Sequence, residues 1–213
     1  MLTKTTRAFA LALLDIGAIQ FGDFKLKLHD KHPNAPLSPI YIDLRLLRSF
    51  PDVMDSAILV YRELIGELTY DCIADVPTAA TPMVVLLMHD LRIPMISPRL
   101  AEKGHGVGRR IDGSYREGQI ALLVDDLITT ADSKLDAICV LERNGIRVND
   151  VVVLVDREQG GAEGLSKRGC RCHSALKLNE ILNLYRSMGR IAEDVFERTV
   201  DYLERTNRHS KRF

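Results

Sequence analysis

Short apolar segments alternate with longer segments of helical spacing from about Asp52 onward, and this alternation limits the folds open to the chain. In the longer segments, apolar residues recur every three or four positions, which predicts helices. The short segments are apolar nearly throughout, which is typical of strands in a parallel sheet that is covered on both faces. The sequence therefore predicts an α/β fold with a parallel-sheet core and helices on both faces. The predicted strands are DCIADV, IPMIS, QIALLVD, VVVLVD and CRCHSAL, and the predicted helices between them are PDVMDSAILVYRELIGEL, ATPMVVLLMHDL, ADSKLDAICVLERNG and AEGLSKRG.

Length and charge limit the partners of the chain. Its 213 residues suit one large domain or two small ones, and we expect one core. The 29 basic and 29 acidic side chains leave no net charge, whereas a general nucleic-acid binder carries excess positive charge. No apolar run approaches the ~20 residues that span a bilayer. We therefore expect neither a nucleic acid nor a membrane as partner, and we interpret the N-terminal apolar segment, which Asp15 interrupts, as an amphipathic helix rather than a signal peptide.

The four cysteines favour a reducing compartment. They are too few and too irregularly spaced for a disulfide framework in a chain of this length, so we expect a cytoplasmic protein. The segment CRCH resembles half of a metal site but lacks a second pair of ligands. Alternating side chains on a strand explain it, and we predict no metal-ligating residues. The cysteines are Cys72, Cys139, Cys170 and Cys172.

The segment ALLVDDLITTADS, residues 121–133, combines a predicted strand with acidic and hydroxyl side chains. Asp125 and Asp126 stand where the apolar run stops, and hydroxyl residues follow in the loop that opens the next helix. Ligands of parallel sheets bind beyond the carboxyl ends of strands, and the amides of a helix start attract phosphate. A carboxylate pair beside a phosphate suggests ribose hydroxyls, magnesium or both. The alternative is that Asp126 or Thr129 only caps a helix, and the pattern alone leaves both interpretations open.

Residues 121–133 resemble the phosphoribosyl pyrophosphate (PRPP) motif of type I phosphoribosyltransferases, and further segments resemble the orotate phosphoribosyltransferases among them. The match runs from about Leu11 to Tyr185 in the family's order, and five ordered motifs are more specific than any one of them. FGDFKLK and SPIYIDLR are similar to the base-binding region, with the insertion HDKHPNAPL between them, whose histidines we expect to face solvent. VPTAATP is similar to the pyrophosphate loop, RLAEKGHGVGRRIDG to the mobile catalytic loop and LVDREQGG to the second base-binding segment.

The resemblance implies a type I phosphoribosyltransferase core with a small hood. Residues 1–213 would form a single domain, with the hood at about 1–50, the core at about 51–175 and C-terminal helices at about 176–213. The implied enzyme is a pentosyltransferase that couples PRPP to orotate, giving orotidine 5′-monophosphate and pyrophosphate in pyrimidine biosynthesis. Magnesium would be bound with PRPP rather than by a dedicated protein cage. Because the family's reaction passes through an oxocarbenium-like ribose, catalysis would rest on positioning and charge stabilisation.

The resemblance also assigns roles on the PRPP side of the site. Asp125 and Asp126 would orient the ribose hydroxyls and the magnesium-bound substrate. Arg99, Lys103 and His105 would close over the pyrophosphate, with Lys103 neutralising negative charge and His105 donating a hydrogen bond or proton. In the family the corresponding loop, here 99–110, reaches the neighbouring subunit's site, which implies a homodimer, although a solvated and inert loop would have the same composition. The remaining PRPP contacts would be Thr129, Thr130, Ala131, Asp132, Ser133 and Thr78.

On the base side, the resemblance implies two cationic contacts with orotate. Lys27 would hold the orotate carboxylate or a ring oxygen, and Arg157 would clamp it, since a guanidinium suits a planar bidentate partner. The alternative for Arg157 is a surface ion pair with Glu158 or Asp156.

Three further base contacts are implied. Thr129 would touch the base edge, and Ile40 and Tyr41 would stack near the ring, although an apolar contact within the hood explains these two equally well.

Departures from the family's pattern fall where PRPP would be held. Ala131 replaces the usual glycine. If that position needs a left-handed backbone, the methyl group destabilises it by about 1–2 kcal/mol. Asp132 stands beside the expected 5′-phosphate, and two unit charges 4 Å apart repel by about 4 kcal/mol at an effective dielectric of 20. Leu100 replaces a lysine, Thr78 an aromatic residue and Asp75 a common glycine.

These departures have two interpretations, and the sequence leaves both open. In one, Asp132 caps its helix with the carboxylate turned away from phosphate, and the chain is an enzyme with a working but weaker PRPP site. In the other, the chain no longer turns over PRPP and is a non-catalytic or regulatory protein that binds an orotate-like metabolite. The two amphipathic C-terminal helices would pack on the core or on a partner subunit.

Overall fold

The computed structural model describes residues 2–26, 28–31, 33–100 and 110–210. None of the helices within these ranges combines the length and the apolar character needed to cross a membrane. In chain order, the elements are α1 (Lys4–Asp15), β1 (Ile19–Phe24), α2 (Leu28–Lys31), β2 (Ser38–Ile42), a 3₁₀ helix (Leu44–Ser49), α3 (Pro51–Ile65), β3 (Cys72–Asp75), α4 (Thr81–Leu91), β4 (Met95–Pro98), β5 (Ile111–Asp112), β6 (Ile120–Ile128), α5 (Asp132–Glu142), β7 (Arg147–Asp156), α6 (Gly161–Lys167), β8 (Arg171–Lys177), α7 (Leu178–Ser187) and α8 (Glu193–Ser210).

A six-stranded sheet in the order β5-β4-β3-β6-β7-β8 forms the centre of the molecule. The five strands β4, β3, β6, β7 and β8 pair in parallel, and β5 pairs antiparallel with β4 at one edge. The predicted α/β fold with a mostly parallel sheet is therefore confirmed. The antiparallel edge was not predicted, because a strand of two residues has no apolar pattern to detect.

Side chains of β6 alternate between two apolar layers. Leu122 and Val124 pack in the cluster that contains residues of α3 and α4, whereas Leu123 packs in the cluster that contains residues of α5. Because successive side chains of a strand point to opposite faces, Asp125 lies on the α5 side and Asp126 on the α3 side.

The strand β6 is longer than predicted. Its pairing with β7 continues to Ile128, which lies opposite Asp156, so Asp125 and Asp126 are inside the strand and not where it stops. The two acids end the apolar run, but they do not end the ladder of backbone hydrogen bonds.

The hood is an antiparallel hairpin of β1 and β2 that shares its apolar cluster with the sheet. Both C-terminal helices pack on other elements of their own chain. Tyr185 of α7 is fully buried, and its hydroxyl donates to the backbone oxygen of Ala10 in α1. Arg198 of α8 contacts the side chain of Asp23 and the backbone oxygen of Gly22 in β1.

The hydroxyl of Tyr185 should contribute measurably to the link between α7 and α1. We expect Tyr185→Phe to lower the free energy of unfolding by about 1 kcal/mol, because it removes a buried hydrogen bond between the two helices. Urea unfolding checks this value. Tyr70→Phe is the matched control, since the half-buried Tyr70 has no hydrogen-bond partner within the described ranges. Equal effects of the two substitutions would show that the Tyr185 hydroxyl contributes nothing.

Candidate active site

Three loops meet at the carboxyl edge of the sheet. They follow the neighbouring parallel strands β3, β6 and β7, which is the position at which open α/β sheets bind ligands. The backbone amide of Arg157 donates to the oxygen of Ile128 over 2.9 Å. Gly161 packs so closely that a Cβ there would lie 2.4 Å from Cγ1 of Ile128. The turn after β7 is therefore held directly against the loop after β6.

The loop after β6 leads into the amino terminus of α5. Ala131 is the residue before the helix and has φ −82° and ψ −7°, so it adopts no left-handed conformation and its methyl group carries no backbone cost. Thr129 is half-buried, and Thr130 and Ser133 are exposed. This loop thus combines hydroxyl groups with the free amides of a helix start, as a phosphate site requires.

Asp132 is the first residue of α5 and does not cap it. No side chain forms a capping hydrogen bond at this helix, so the predicted capping role of Asp132 is wrong. Its exposed carboxylate accepts a hydrogen bond from Oγ1 of Thr130 at 2.9 Å. A carboxylate in the first turn of a helix interacts favourably with the helix dipole, which offsets part of its repulsion from a bound phosphate.

The acidic pair Asp125 and Asp126 is buried together with a lysine. Nζ of Lys134 lies 2.5 Å from Oδ2 of Asp125, and both residues are 4% exposed. Burial, and then the neighbouring Asp125, raise the pKa of Asp126 to about 7. The hydroxyl of Tyr61 donates to the backbone oxygen of Asp125 over 2.7 Å. Asp125 therefore has a cationic partner, whereas the carboxyl group of Asp126 can hold a proton near neutral pH.

Lys134 was not predicted as a site residue, although the sequence contains a signal for it. Lys134 lies three, four and seven residues before the buried Ala137, Ile138 and Leu141, on the apolar stripe of α5. A lysine on such a stripe is rarely buried unless it is paired.

The loop after β3 is braced from the 3₁₀ helix. Nη2 of Arg48 donates to the backbone oxygen of Thr78 over 2.6 Å, while the side chain of Thr78 is exposed. Arg48 was not predicted, because nothing in its local sequence indicates a contact 30 residues away. Asp75 is fully buried, and its Oδ2 accepts from Oγ1 of Thr81 while Oδ1 has no hydrogen-bond partner within the described residues.

Arg157 is buried at the end of β7 without a partner for most of its guanidinium. It is 7% exposed, and its Nε and Nη2 make no hydrogen bond within the described part of the chain. Burial lowers the pKa of Arg157. The alternative of a surface ion pair is wrong: Asp156 accepts from the amide of Glu158, and Glu158 accepts from the amide of Asn179.

The predicted base contacts of the hood differ in their surroundings. Ile40 is fully buried in the apolar cluster, which favours the hood contact over stacking on a ligand. Tyr41 stacks on Phe24, with ring centroids 5.5 Å apart. His29 of the insertion is buried at 8% exposure, so the expectation that it faces solvent is wrong. Lys27 lies outside the described residues.

The predicted pyrophosphate contacts are described only in part. Arg99 forms an exposed ion pair with Asp112 of β5, with Nε 2.9 Å from Oδ2, and Leu100 is 37% exposed. Lys103 and His105 lie outside the described residues. The structure thus brings together Asp125, Asp126, residues 129–133 and Arg157.

The chain is similar in sequence and in fold to several known proteins. No protein-family model matches the chain. It is 36% identical to an orotate phosphoribosyltransferase of Pyrobaculum aerophilum over 90% of this chain and 95% of that protein. It is 34% identical to the bifunctional enzyme PyrF/PyrE of Nostoc sp. over 87% of this chain. Among solved structures it is similar to a UMP synthase of Leishmania donovani, with a TM-score of 0.82 and 32% identity over 94% of this chain. The chain spans 38% of the Nostoc protein and 42% of the Leishmania chain.

The raised pKa of Asp126 should make stability depend on pH. Its folded pKa of about 7 exceeds the ordinary 3.8, so this carboxyl stabilises the fold below pH 3.8 and loses that contribution as the pH rises to about 7. We therefore expect Asp126→Asn to gain stability relative to the unmodified chain across this window, by up to about 1.4 kcal/mol per pH unit. Urea unfolding of both proteins at several pH values measures the difference.

The exposed Asp136 of α5 provides the control, because Asp136→Asn should leave the difference flat. If the stability difference for Asp126→Asn were also independent of pH, this would contradict the raised pKa of Asp126.

Proposed function

The chain belongs to the orotate phosphoribosyltransferase family, and on this premise we propose that it transfers the phosphoribosyl group of PRPP to orotate, as a pentosyltransferase of pyrimidine biosynthesis. The products would be orotidine 5′-monophosphate and pyrophosphate. Family membership rests on the 36% identity to a relative that the chain covers over 95% of its length. The observation that carries the proposal is the buried, unpartnered guanidinium of Arg157 at the edge of the sheet, among the residues that the structure describes.

Arg157 supports a planar anionic substrate. Burying a guanidinium without a partner is costly, so the Nε and Nη2 that lack partners in the described chain indicate a ligand that completes them. These two nitrogens form the fork that binds a carboxylate or two ring oxygens in a bidentate way, and orotate offers both. The Arg157 amide bonds to Ile128, next to the loop that would hold the ribose phosphate, which supports one shared site for base and ribose phosphate.

The acidic pair supports the ribose side of the reaction. In the proposed step, the bond from C1′ to the pyrophosphate oxygen breaks and a bond from C1′ to N1 of orotate forms. Positive charge develops on the ribose, and the N1 proton leaves with the pyrophosphate. With Lys134 as partner of Asp125, the pair presents one net negative charge to that centre when Asp126 is ionised. The amides of the α5 start, with Thr129, Thr130 and Ser133, would hold the 5′-phosphate. Ala131 and Asp132 would line the same loop.

The pyrophosphate would lie over the loop after β3, which Arg48 holds in place. Thr78 would contact it there, and Arg99, Lys103 and His105 would close over it from the loop 99–110. Lys27 and Tyr41 would complete the base side from the hood, together with Arg157.

Magnesium would enter with PRPP. The described residues fit this arrangement, because one oxygen of Asp125 is already bonded to Lys134 and no carboxylate cage is formed there. Mg²⁺ commonly keeps substrate phosphates and water as its main ligands. Bound in this way, it would neutralise charge on the leaving pyrophosphate.

The direct test is the loss of orotate absorbance after addition of PRPP and magnesium. We expect magnesium-dependent turnover by the unmodified chain, and an unchanged signal at high protein concentration would contradict the proposed function. Arg157→Met should raise KM for orotate at least about 30-fold, because it removes a buried charged partner of the substrate. The same substitution should not lower the melting temperature, since it also removes an unpaired buried charge.

Arg168→Met is the matched control. Arg168 is exposed and pairs with Glu142 on the surface, so its removal should leave KM for orotate within about twofold. A similar loss in both variants would contradict the role of Arg157.

We also propose a homodimer that uses an apolar surface beside the site. A groove of about 610 Å³ lies between the 3₁₀ helix, α3 and α4. Two of its lining residues, Val85 and Leu86, are apolar and at least 40% exposed. Two further exposed apolar side chains belong to α3, Phe50 at its amino-terminal cap and Leu59 within it. Clustered apolar exposure of this kind marks an interface. We call these four residues the α3–α4 face. Arg48 lines the same groove and bonds to the loop after β3, so a partner there would lie beside the proposed pyrophosphate loop.

Residues 1–213 would form one phosphoribosyltransferase domain, because the hood and the core share one apolar cluster. The cysteine usage of the sequence fits a cytoplasmic location.

A charge on the α3–α4 face should separate the dimer. We expect Leu59→Arg to give a monomer in sedimentation experiments and to reduce turnover, because a buried arginine without a partner opposes association. Met188→Arg is the control, since Met188 is 46% exposed but lies outside this face. A monomeric unmodified chain, or a dimer that persists in Leu59→Arg, would contradict this interface.

A further inference from the structure

Lys134 occupies a position that is unfavourable unless something compensates it. It is the third residue of α5, where the helix dipole disfavours a cation, and it is 4% exposed. Its neighbours on the stripe, Ala137 and Ile138, are fully buried against the sheet. A lysine in such a place needs partners for all of its charge.

The structure supplies these partners at the site itself. Nζ of Lys134 lies 2.5 Å from Oδ2 of Asp125 and 2.6 Å from the backbone oxygen of Leu127, with a longer contact of 3.5 Å to Oγ of Ser133. An ammonium group has three hydrogens to donate, so three acceptors account for it. Lys134 therefore ties the acidic part of β6 to the start of α5.

The carboxylates of Asp125 and Asp126 differ in how much of their hydrogen-bonding capacity is used within the protein. Oδ2 of Asp125 is bonded to Lys134, and its Oδ1 accepts from the amide of Asp126 over 2.9 Å. Oδ1 of Asp126 accepts from the amide of Leu127 over 2.7 Å, and no basic side chain within the described ranges forms an ion pair with Asp126. Both oxygens of Asp125 are thus engaged within the protein, whereas Asp126 retains capacity for a ligand.

We propose that Lys134 is a positioning residue that holds Asp125 as a fixed counter-ion, so that Asp126 is the acid that binds the ribose hydroxyls of PRPP. This inference rests on the proposed function and divides the roles of two residues that the family resemblance treats alike. Without Lys134, two adjacent carboxylates would share a buried site with no cation, and one of them would take up a proton.

Few titratable groups of the described residues face the acidic pair. Lys134 approaches from α5 and Tyr61 from α3, where the Tyr61 hydroxyl donates to the backbone of Asp125. On the neighbouring strands, Asp125 lies opposite Val153 of β7, and Asp75 of β3 is bonded to Thr81. The loss of Lys134 therefore removes the one cation in contact with the pair within the described ranges.

Lys134→Met tests the proposal through the kinetics of both substrates. We expect KM for PRPP to rise by about tenfold or more, KM for orotate to stay within about twofold, and the acidic limb of kcat/KM for PRPP to move up by about one pH unit. Lys134→Arg keeps the charge and should restore the position of this limb. Lys167→Met, at an exposed lysine of α6, should leave all three values unchanged.

A double variant keeps the proposal testable if Lys134→Met folds poorly. Lys134→Met alone should lower the melting temperature by roughly 10 °C, because it leaves Asp125 buried and unpaired. Adding Asp125→Asn should recover much of that loss, which a double-mutant cycle measures without reference to turnover.

Two results would overturn the inference. One is that Lys134→Met leaves both KM for PRPP and the acidic limb of kcat/KM unchanged. The other is that the effects of Lys134→Met and Asp125→Asn on the free energy of unfolding are strictly additive. Absence of turnover in the unmodified chain would instead contradict the proposed function, and the cycle would still decide whether Lys134 holds Asp125.

Discussion

The parallel pairing of β6 with β3 on one side and with β7 on the other is the constraint on which the candidate site depends. Parallel strands end at the same edge of a sheet, so three loops that are distant in sequence meet there. The pairing of β6 with β7 through Ile128 carries Asp125 and Asp126 within the ladder rather than on a free loop. The two acids are therefore held by the rigid part of the molecule, which suits a reaction that rests on positioning.

Charge is buried at this edge in an arrangement that stability alone does not explain. Among the described residues, Arg157 carries unpartnered nitrogens, Asp75 an unpartnered oxygen, and Asp126 a raised pKa. Buried polar groups without partners cost free energy, and such groups concentrate where a ligand completes them. The signs of the charges also fit the two halves of the proposed reaction. In that reaction the cationic Arg157 would face the anionic base, and the acidic pair would face the ribose as it becomes cationic.

Much of this could be predicted from the sequence, and the remainder could not for identifiable reasons. Apolar runs such as VVVLVD contain enough pattern to predict a buried strand, but the two residues of β5 do not. The end of β6 was placed too early because Asp125 breaks the apolar run while β7 continues the pairing. Ala131 and Asp132 could be recognised as departures from the family, but their consequences depend on a backbone angle and on a bond to Thr130, which sequence does not encode locally. The contact of Arg48 with a residue 30 positions away could not be predicted from the sequence. The burial of Lys134 could have been, because it is a cation on an apolar stripe.

The central claim is that this edge of the sheet still holds PRPP despite Asp132 in the phosphate loop. Thr130 donates to the Asp132 carboxylate, and the helix start lies beside it, so the local field is less repulsive than an isolated carboxylate would make it. Calorimetric titration of the unmodified chain with PRPP, with and without magnesium, and separately with orotate, tests this claim most directly. The account predicts saturable binding of orotate and of magnesium-bound PRPP, each at one site per chain. Binding of orotate with no heat from PRPP in the presence of magnesium would contradict it.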